Sequence, residues 1–477
     1  MRARRVALTT LALLAVAASA ASAHQSQLTS KTEYADSGQK AGSARNMAIV
    51  GQANLGMRGY NADVWVHRQY AYVGSWGFGD WASGGEERFC PEPSRSGVAV
   101  VDTRDPANPR QVAKLQQPPA TSVEDVVVYT AKYGRLAGRD IAVAGIQVCG
   151  VSRYDAATFR GLIAWDVTNP ARPVELGRRD TGCCTRGLHE LEVQHRADLR
   201  RTFVYASVPT SEYDDAASPS GRRDQLGRGD FRLIDVTDPA KPVETASWGV
   251  RRNGPPGLPA PGIGSDPDPI YGHSAEPSAD GRRVFVAWWD SGFIDLDVTD
   301  PTRPVYRGNT TYPATADGDG HSSQWDEARS LLFTADEDFA KTSGAKTEKG
   351  FGYLRVFRPG SGASWSQIGA YKTPSAAGTV DHAAGDYTIH NPLVDGTDVY
   401  ASWYSDGIRV LDTRNPSAIV EVANFVPPAA NNTVQPSQRG VLTNTTQVWG
   451  VALDKARGLV FGSDMNSGLW IARRTDR

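Results

Sequence analysis

LIDVTDPAKP, running from Leu233 to Pro242, is the stretch on which the fold turns, because it returns along the chain. It reads VVDTRDPANP at Val100–Pro109, AWDVTNPARP at Ala164–Pro173 and DLDVTDPTRP at Asp295–Pro304. A worn copy, VLDTRNPSAI, spans Val410–Ile419. Each copy is a short β-rich run, an Asp, and a turn. Asp or Asn ahead of Pro can bond its own backbone, and Pro presets φ while offering no N–H to a ladder. The second Pro ends pairing and re-aims the chain into another β-rich run, such as Val174-Glu175-Leu176 or Val243-Glu244-Thr245. The unit is strand, hard turn, outer strand.

Five residues before the Asp there is usually a Gly: Gly97, Gly161, Gly292 and Gly407. The same register picks up Gly352 and Gly468, and the third copy has Asp230 there, beside Gly229. Seven copies result, 55 to 69 residues apart. Upstream of each lies another β-rich run, Phe203-Val204-Tyr205 or Val284-Phe285-Val286 for example. Before that sits one more, such as Asp125–Tyr129 or Val448–Leu453. Four short strands per unit, seven units and no sustained helical periodicity predict an all-β, seven-bladed β-propeller with four-stranded blades. A β-solenoid is the competitor, but its coils are much shorter than these units. The last unit stops after its third strand, and Met47–Gln52 (MAIVGQ) reads like an outer strand. That strand is expected to pair with Leu469–Ala472, complete the last blade and leave no open edge.

The strand–Asp–x–[Thr/Arg]–[Asp/Asn]–Pro–x–x–Pro units resemble those of LVIVP-repeat proteins, a group of exported microbial β-propellers. The resemblance covers most of residues 46–477, and its motif speaks for blade architecture rather than for an activity. The units are longer than that family's compact form, which implies elaborated loops.

Length and composition agree with a globular chain. The 477 residues are 40% hydrophobic and 22% charged, with 48 Gly and 29 Pro, and the Gly and Pro mark strand boundaries. A formal charge of −2 argues against a nucleic-acid partner. Arg2, Arg4 and Arg5, the apolar run Val6–Ala18 and Ala21-Ser22-Ala23 form the pattern of a signal peptide over residues 1–23. A leader over 24–45 and the propeller over 46–477 follow. The mature protein is expected to be monomeric, without a transmembrane segment, and secreted, extracellular or at the cell surface.

The 8 His are rare enough for their placement to matter. His189, His273, His321 and His390 all fall near the start of an innermost strand; His273 to Phe285 and His321 to Phe333 are each 12 residues. Trp449 fills the same slot in the last unit, and acidic or small residues near Asp63 and Glu124 fill it in the first two. Such strand starts surround a propeller axis, so the imidazoles can converge. Neutral imidazole is the commonest transition-metal ligand, suited to Cu or Zn more than to Ca. The competing reading is structural, each ring bonding an acidic side chain such as Asp290, Asp336, Asp406 or Asp464. His67, His195 and His382 lie outside the register and read as surface residues.

Cys90 and Cys149 fall in loops of the first two units, and Cys183-Cys184 in the connection to the third. Export favours disulfides, and four Cys allow three pairings. Adjacent Cys bond each other only with strain, which favours Cys90 and Cys149 each taking one of the pair. The long insertions (76–96, 147–160, 209–229, 249–269, 336–350 and 427–444) fall on one face. No GxSxG, HExxH, P-loop or dinucleotide fingerprint is present. The functional expectation is an exported binding module that meets a surface or extracellular protein, or a small ligand, on that face. The alternative is a secreted metal-dependent enzyme, oxidoreductase or hydrolase, using the His cluster.

Overall fold

The computed structural model describes residues 42–477 apart from 56–57, 78–89, 91–93, 152–154, 184, 210, 212–227, 259–270, 314–315, 317, 340–349, 361–362, 364, 381–384 and 431–444. The expected signal peptide, most of the leader and most of the long insertions lie outside the described residues. What remains is almost wholly β, with one short helix, Val250–Asn253.

The strands gather into six sheets. Four sheets have four strands each. They comprise Leu191–Arg196, Arg201–Ser207, Phe231–Asp235 and Val243–Trp248; Ala275–Pro277, Arg283–Ala287, Phe293–Asp297 and Val305–Asn309; Gly320–Asp326, Leu331–Asp336, Leu354–Pro359 and Trp365–Tyr371; and Val448–Asp454, Leu459–Asp464, Gly468–Arg474 and Met47–Ala53. A five-stranded sheet holds Pro392–Asp395, Asp398–Ser402, Ile408–Asp412 and Val420–Val426. Its fifth strand is Ser43–Arg45, from the end of the expected leader.

The first two repeats merge. Tyr60–His67, Tyr70–Trp76, Val98–Asp102 and Arg110–Leu115 share one eight-stranded sheet with Thr121–Thr130, Asp140–Val148, Gly161–Asp166 and Val174–Asp180. This sheet is an open half-barrel. The expectation of seven separate four-stranded blades closed into a propeller is thereby overturned. The junction is the pair Ser75↔Val123, and its cause is local. Gly74 lets the two backbones meet: a Cβ there would stand 2.3 Å from the Glu124 carbonyl oxygen. Turn motifs set where strands end. They do not set which edges meet.

Met47–Ala53 does pair antiparallel with Gly468–Arg474, with Ile49 opposite Ala472 and Gln52 opposite Trp470, so the two ends of the chain share a sheet. The repeat turn also behaves as its chemistry requires. Its first Asp accepts from the backbone N–H two residues on, Asp235 from Thr237 at 2.8 Å and Asp297 from Thr299 at 2.8 Å. The second Asp or Asn does the same, Asp105 from Ala107 at 3.1 Å and Asp300 from Thr302 at 2.9 Å. Two Asx turns in tandem fix each reversal.

Adjacent sheets pack face to face through β-branched and aromatic residues, Ile141 and Val143 against Val204 and Ile234, and Phe203 and Leu233 against Val284 and Leu296. Three arginines, Arg196 buried and Arg329 and Arg457 partly buried, latch neighbours at one end. Arg196 donates to the carbonyls of Val298 and Thr299, both at 2.9 Å. Arg329 reaches the Thr413 carbonyl at 2.8 Å and Arg457 the Thr103 carbonyl at 2.5 Å. One strand from each repeat then faces a single central cavity of about 180 Å³, and these strands position the candidate site.

Candidate metal centre

The four in-register histidines sit at or just before the start of their strands, and three of them have the backbone tied to the partner strand. The N–H of His189 donates to the Ser207 carbonyl (2.9 Å), His273 to Ala287 (2.8 Å) and His390 to Ser402 (2.9 Å). Serines set the spacing between strands, since Ser274 Oγ donates to the His321 carbonyl at 2.7 Å and Ser322 Oγ to the His390 carbonyl at 2.6 Å. The imidazoles therefore line up, with ring centroids 4.2 Å apart for His189 and His273, 4.0 Å for His273 and His321, and 4.2 Å for His321 and His390. Trp449 closes the row 4.4 Å from His390, as the register predicts.

Three glutamates complete the cluster. Glu124 contacts Nδ1 of His189. Glu190 Oε1 lies 3.6 Å from His273 Nδ1 and 3.7 Å from His321 Nε2. Glu337 lies 3.6 Å from His321 Nε2 and 3.8 Å from His390 Nε2, and accepts from the Tyr404 hydroxyl. All seven side chains are buried. Three groups, Glu190–His273–His321, His321–Glu337–His390 and Glu124–Glu190–His390, each bring three ligand atoms within 4.8 Å of one another. They share residues and form one constellation. Three overlapping groups able to coordinate a metal ion are thus present among the described residues.

The spacings discriminate between a hydrogen-bond network and a ligand set. At 3.6 to 3.8 Å the contacts of Glu190 and Glu337 with His273, His321 and His390 exceed hydrogen-bond length, whereas Glu124 touches His189 directly. Two ligands about 2.1 Å from a tetrahedral ion stand about 3.4 Å apart, close to what is seen. Glu190 Oε1 and His273 Nδ1 make no hydrogen bond within the described residues, which a purely structural network would not leave in a buried site. The His189 and His273 rings also meet directly, Nε2 to Nε2 at 2.7 Å.

Electrostatics agree. Burial holds His189, His273 and His390 well below the ordinary imidazole value, so these rings are neutral and their lone pairs available. Burial pushes Glu124 up to about 8, against the favourable charge of Arg186. It raises Glu190 well above the carboxylate range, reinforced by the like charge of Glu124 and Asp63. Metal binding at such carboxylates displaces protons.

Three of the four aspartates that the sequence offers as partners for these rings are engaged elsewhere. Asp336 pairs with Arg355 at 2.5 Å and accepts from the Tyr312 hydroxyl. Asp406 pairs with Arg409 and accepts from Thr373, and Asp464 caps the N–H groups of Gln447 and Ser467. Glu190 and Glu337 were the missed residues; the only signal was position, Glu190 next to His189 and Glu337 next to Asp336. His67 and His195 are partly buried rather than exposed, His67 against Asp140 at 3.1 Å and His195 against Thr202 at 2.9 Å. His382 lies outside the described residues.

An aromatic layer bounds the histidine row. Tyr271 stacks on Trp289, Trp289 lies 5.4 Å from His273, and Tyr404 lies 5.4 Å from His390. The disulfide joins Cys90 to Cys149, correcting the expectation that each would bond one of the Cys183-Cys184 pair; Cys183 is also disulfide-bonded. Cys184 lies outside the described residues. No helix among the described residues is long and apolar enough to cross a membrane.

An LVIVD repeat matches residues 58–79, the first strand pair of the first repeat. It shares no residue with the Asp-Pro turns, and it covers too little of the chain to assign a family. No curated protein matches the sequence.

Proposed function

We infer that this chain is a metal-dependent protein, with a transition-metal ion held at the centre by His273, His321 and His390 together with Glu190 and Glu337. The observation that carries the reading is the set of Glu–His contacts, too long for hydrogen bonds and close to the separation an ion between them requires. Imidazole-rich sets suit Cu or Zn. Copper would fit an oxidoreductase and zinc a hydrolase, with the ion supplying redox chemistry or a polarised water respectively. Export supports the same setting, since the basic and apolar leader fits secretion and the Cys90–Cys149 bond fits an oxidising compartment. The competing reading, a binding module that uses the long-loop face, rests on segments mostly outside the described residues.

The test is metal analysis of purified mature protein after chelation and reconstitution with Cu or Zn. A stoichiometric ion, retained through gel filtration and lost in His321→Ala, is expected. A folded wild type that retains neither metal refutes the reading.

A further inference from the structure

The central cavity carries chemistry that the metal centre alone does not use. It is lined by five carboxylates, Asp63, Asp125, Glu190, Glu192 and Glu276, and by no Lys, Arg or His. Exposure is graded along it: Asp63, Asp125, Glu192 and Glu276 are partly open to solvent, whereas Glu190 is buried and belongs to the metal cluster. Two lining groups on buried residues make no hydrogen bond within the described residues. They are Ser323 Oγ, on a residue 8% exposed, and Glu190 Oε1, on a residue 7% exposed.

We propose that the acidic cavity is a capture site for a hydrated divalent cation, and the path by which the metal reaches the His–Glu cluster. The proposal rests on the metal-centre reading. Carboxylates lining one cleft with no counter-charge can give up their protons to an arriving cation, and once ionised they focus a field that raises local cation concentration and on-rate. Their spacing argues for a hydrated ion. Every convergent ligand triplet among the described residues includes a His, so the outer carboxylates do not strip an ion of its water. The cavity of about 180 Å³ equals roughly six water volumes, enough for an ion with its inner shell. The outer carboxylates are also held in place rather than left mobile. Asp63 accepts from Asn391 Nδ2 at 2.7 Å, Asp125 from the Leu191 N–H at 2.8 Å and Glu276 from Gln324 Nε2 at 2.6 Å. Glu190 is the handover point, lining the cavity and touching His273 and His321.

The experiment is stopped-flow uptake of Zn²⁺ or Co²⁺ by chelator-stripped mature protein, comparing wild type with Glu192→Gln and, separately, Glu276→Gln. Melting curves confirm folding of each variant. The expected result is uptake slowed by about tenfold at low ionic strength in each variant, with final stoichiometry unchanged, and a wild-type rate that falls with added salt. Unchanged rates in two folded variants overturn the capture site while leaving the metal centre standing. A wild type that takes up neither ion overturns the metal centre, and the capture site with it.

Discussion

In the absence of metal, this protein should lose stability as the pH rises from about 6.5 to 8, and the structure sets the size of the loss. Burial pushes Glu124 up to about 8 in the fold, against about 4.3 for a free glutamate. Between those values the folded state binds the proton that the unfolded state has released, so stability falls with rising pH. The histidines act in the opposite direction but in a different window. Their folded values lie below 6.5, so they add stability as the pH climbs to about 6.5 and nothing above it. Above that point the carboxylates act alone. At about 1.4 kcal/mol per pH unit, Glu124 accounts for roughly 2 kcal/mol between pH 6.5 and 8. Asp125 and Glu276, pushed to about 7, add a smaller share that ends there. For a chain of this length the Glu124 share lowers Tm by only about 2 °C, so denaturant titration is the better assay. Glu124→Gln should flatten the slope. Saturating metal should reverse it, because the ion replaces the protons and binds more tightly as they leave. A metal-free wild type whose stability is constant or rises over this window would show that these carboxylates are ionised in the fold. The electrostatic account of the site would then be wrong.

Other perturbations test separate parts of the structure. Glu190→Gln, shared by two of the three ligand groups, should weaken Zn²⁺ or Cu²⁺ affinity by at least tenfold in competition titrations while the chain stays folded. Arg457→Ala removes the latch to Thr103 and the partner of Asp454. A loss of about 2 kcal/mol in denaturant unfolding is expected, and Arg457→Lys should recover only part of it. Reducing or replacing Cys90–Cys149, which are separated by 59 residues, should cost about 4 kcal/mol on loop-closure entropy. Gly74→Ala should disturb the joint between the first two repeats, read as faster amide exchange at Ser75 and Val123.

The repeat was legible because its signal is local. Tandem Asx turns need only Asp or Asn at the right offset from Pro, and the strands they bound appear where the motif puts them. The joining of strands into sheets was not legible in the same way. Ser75 meets Val123 because Gly74 removes a Cβ that would collide with the Glu124 carbonyl. Nothing in either repeat motif marks Gly74 as different from any other strand glycine. The disulfide followed the same logic: adjacency argued against Cys183 bonding Cys184, but which loops adjoin in space decided the Cys90–Cys149 pairing.

The site divides along the same line, and the division explains the choice between a structural and a metal-binding histidine row. A histidine at the start of an inner strand is fixed by its own hairpin, so an offset of 12 residues was enough to find it. For His273, His321 and His390 the acidic neighbours include one from another repeat. Glu190 follows His189 in sequence yet lies between His273 and His321, and Glu337 follows His321 by 16 residues yet also reaches His390. The aspartates that local reasoning favoured are bound to Arg355, Thr373, Arg409 and backbone N–H groups. The rings thus face carboxylates at 3.6 to 3.8 Å that do not bond them directly. A buried histidine row facing glutamates at these separations leaves polar atoms without hydrogen bonds, which is costly with no ion between them. A divalent cation removes that cost by giving each lone pair and each carboxylate a common partner.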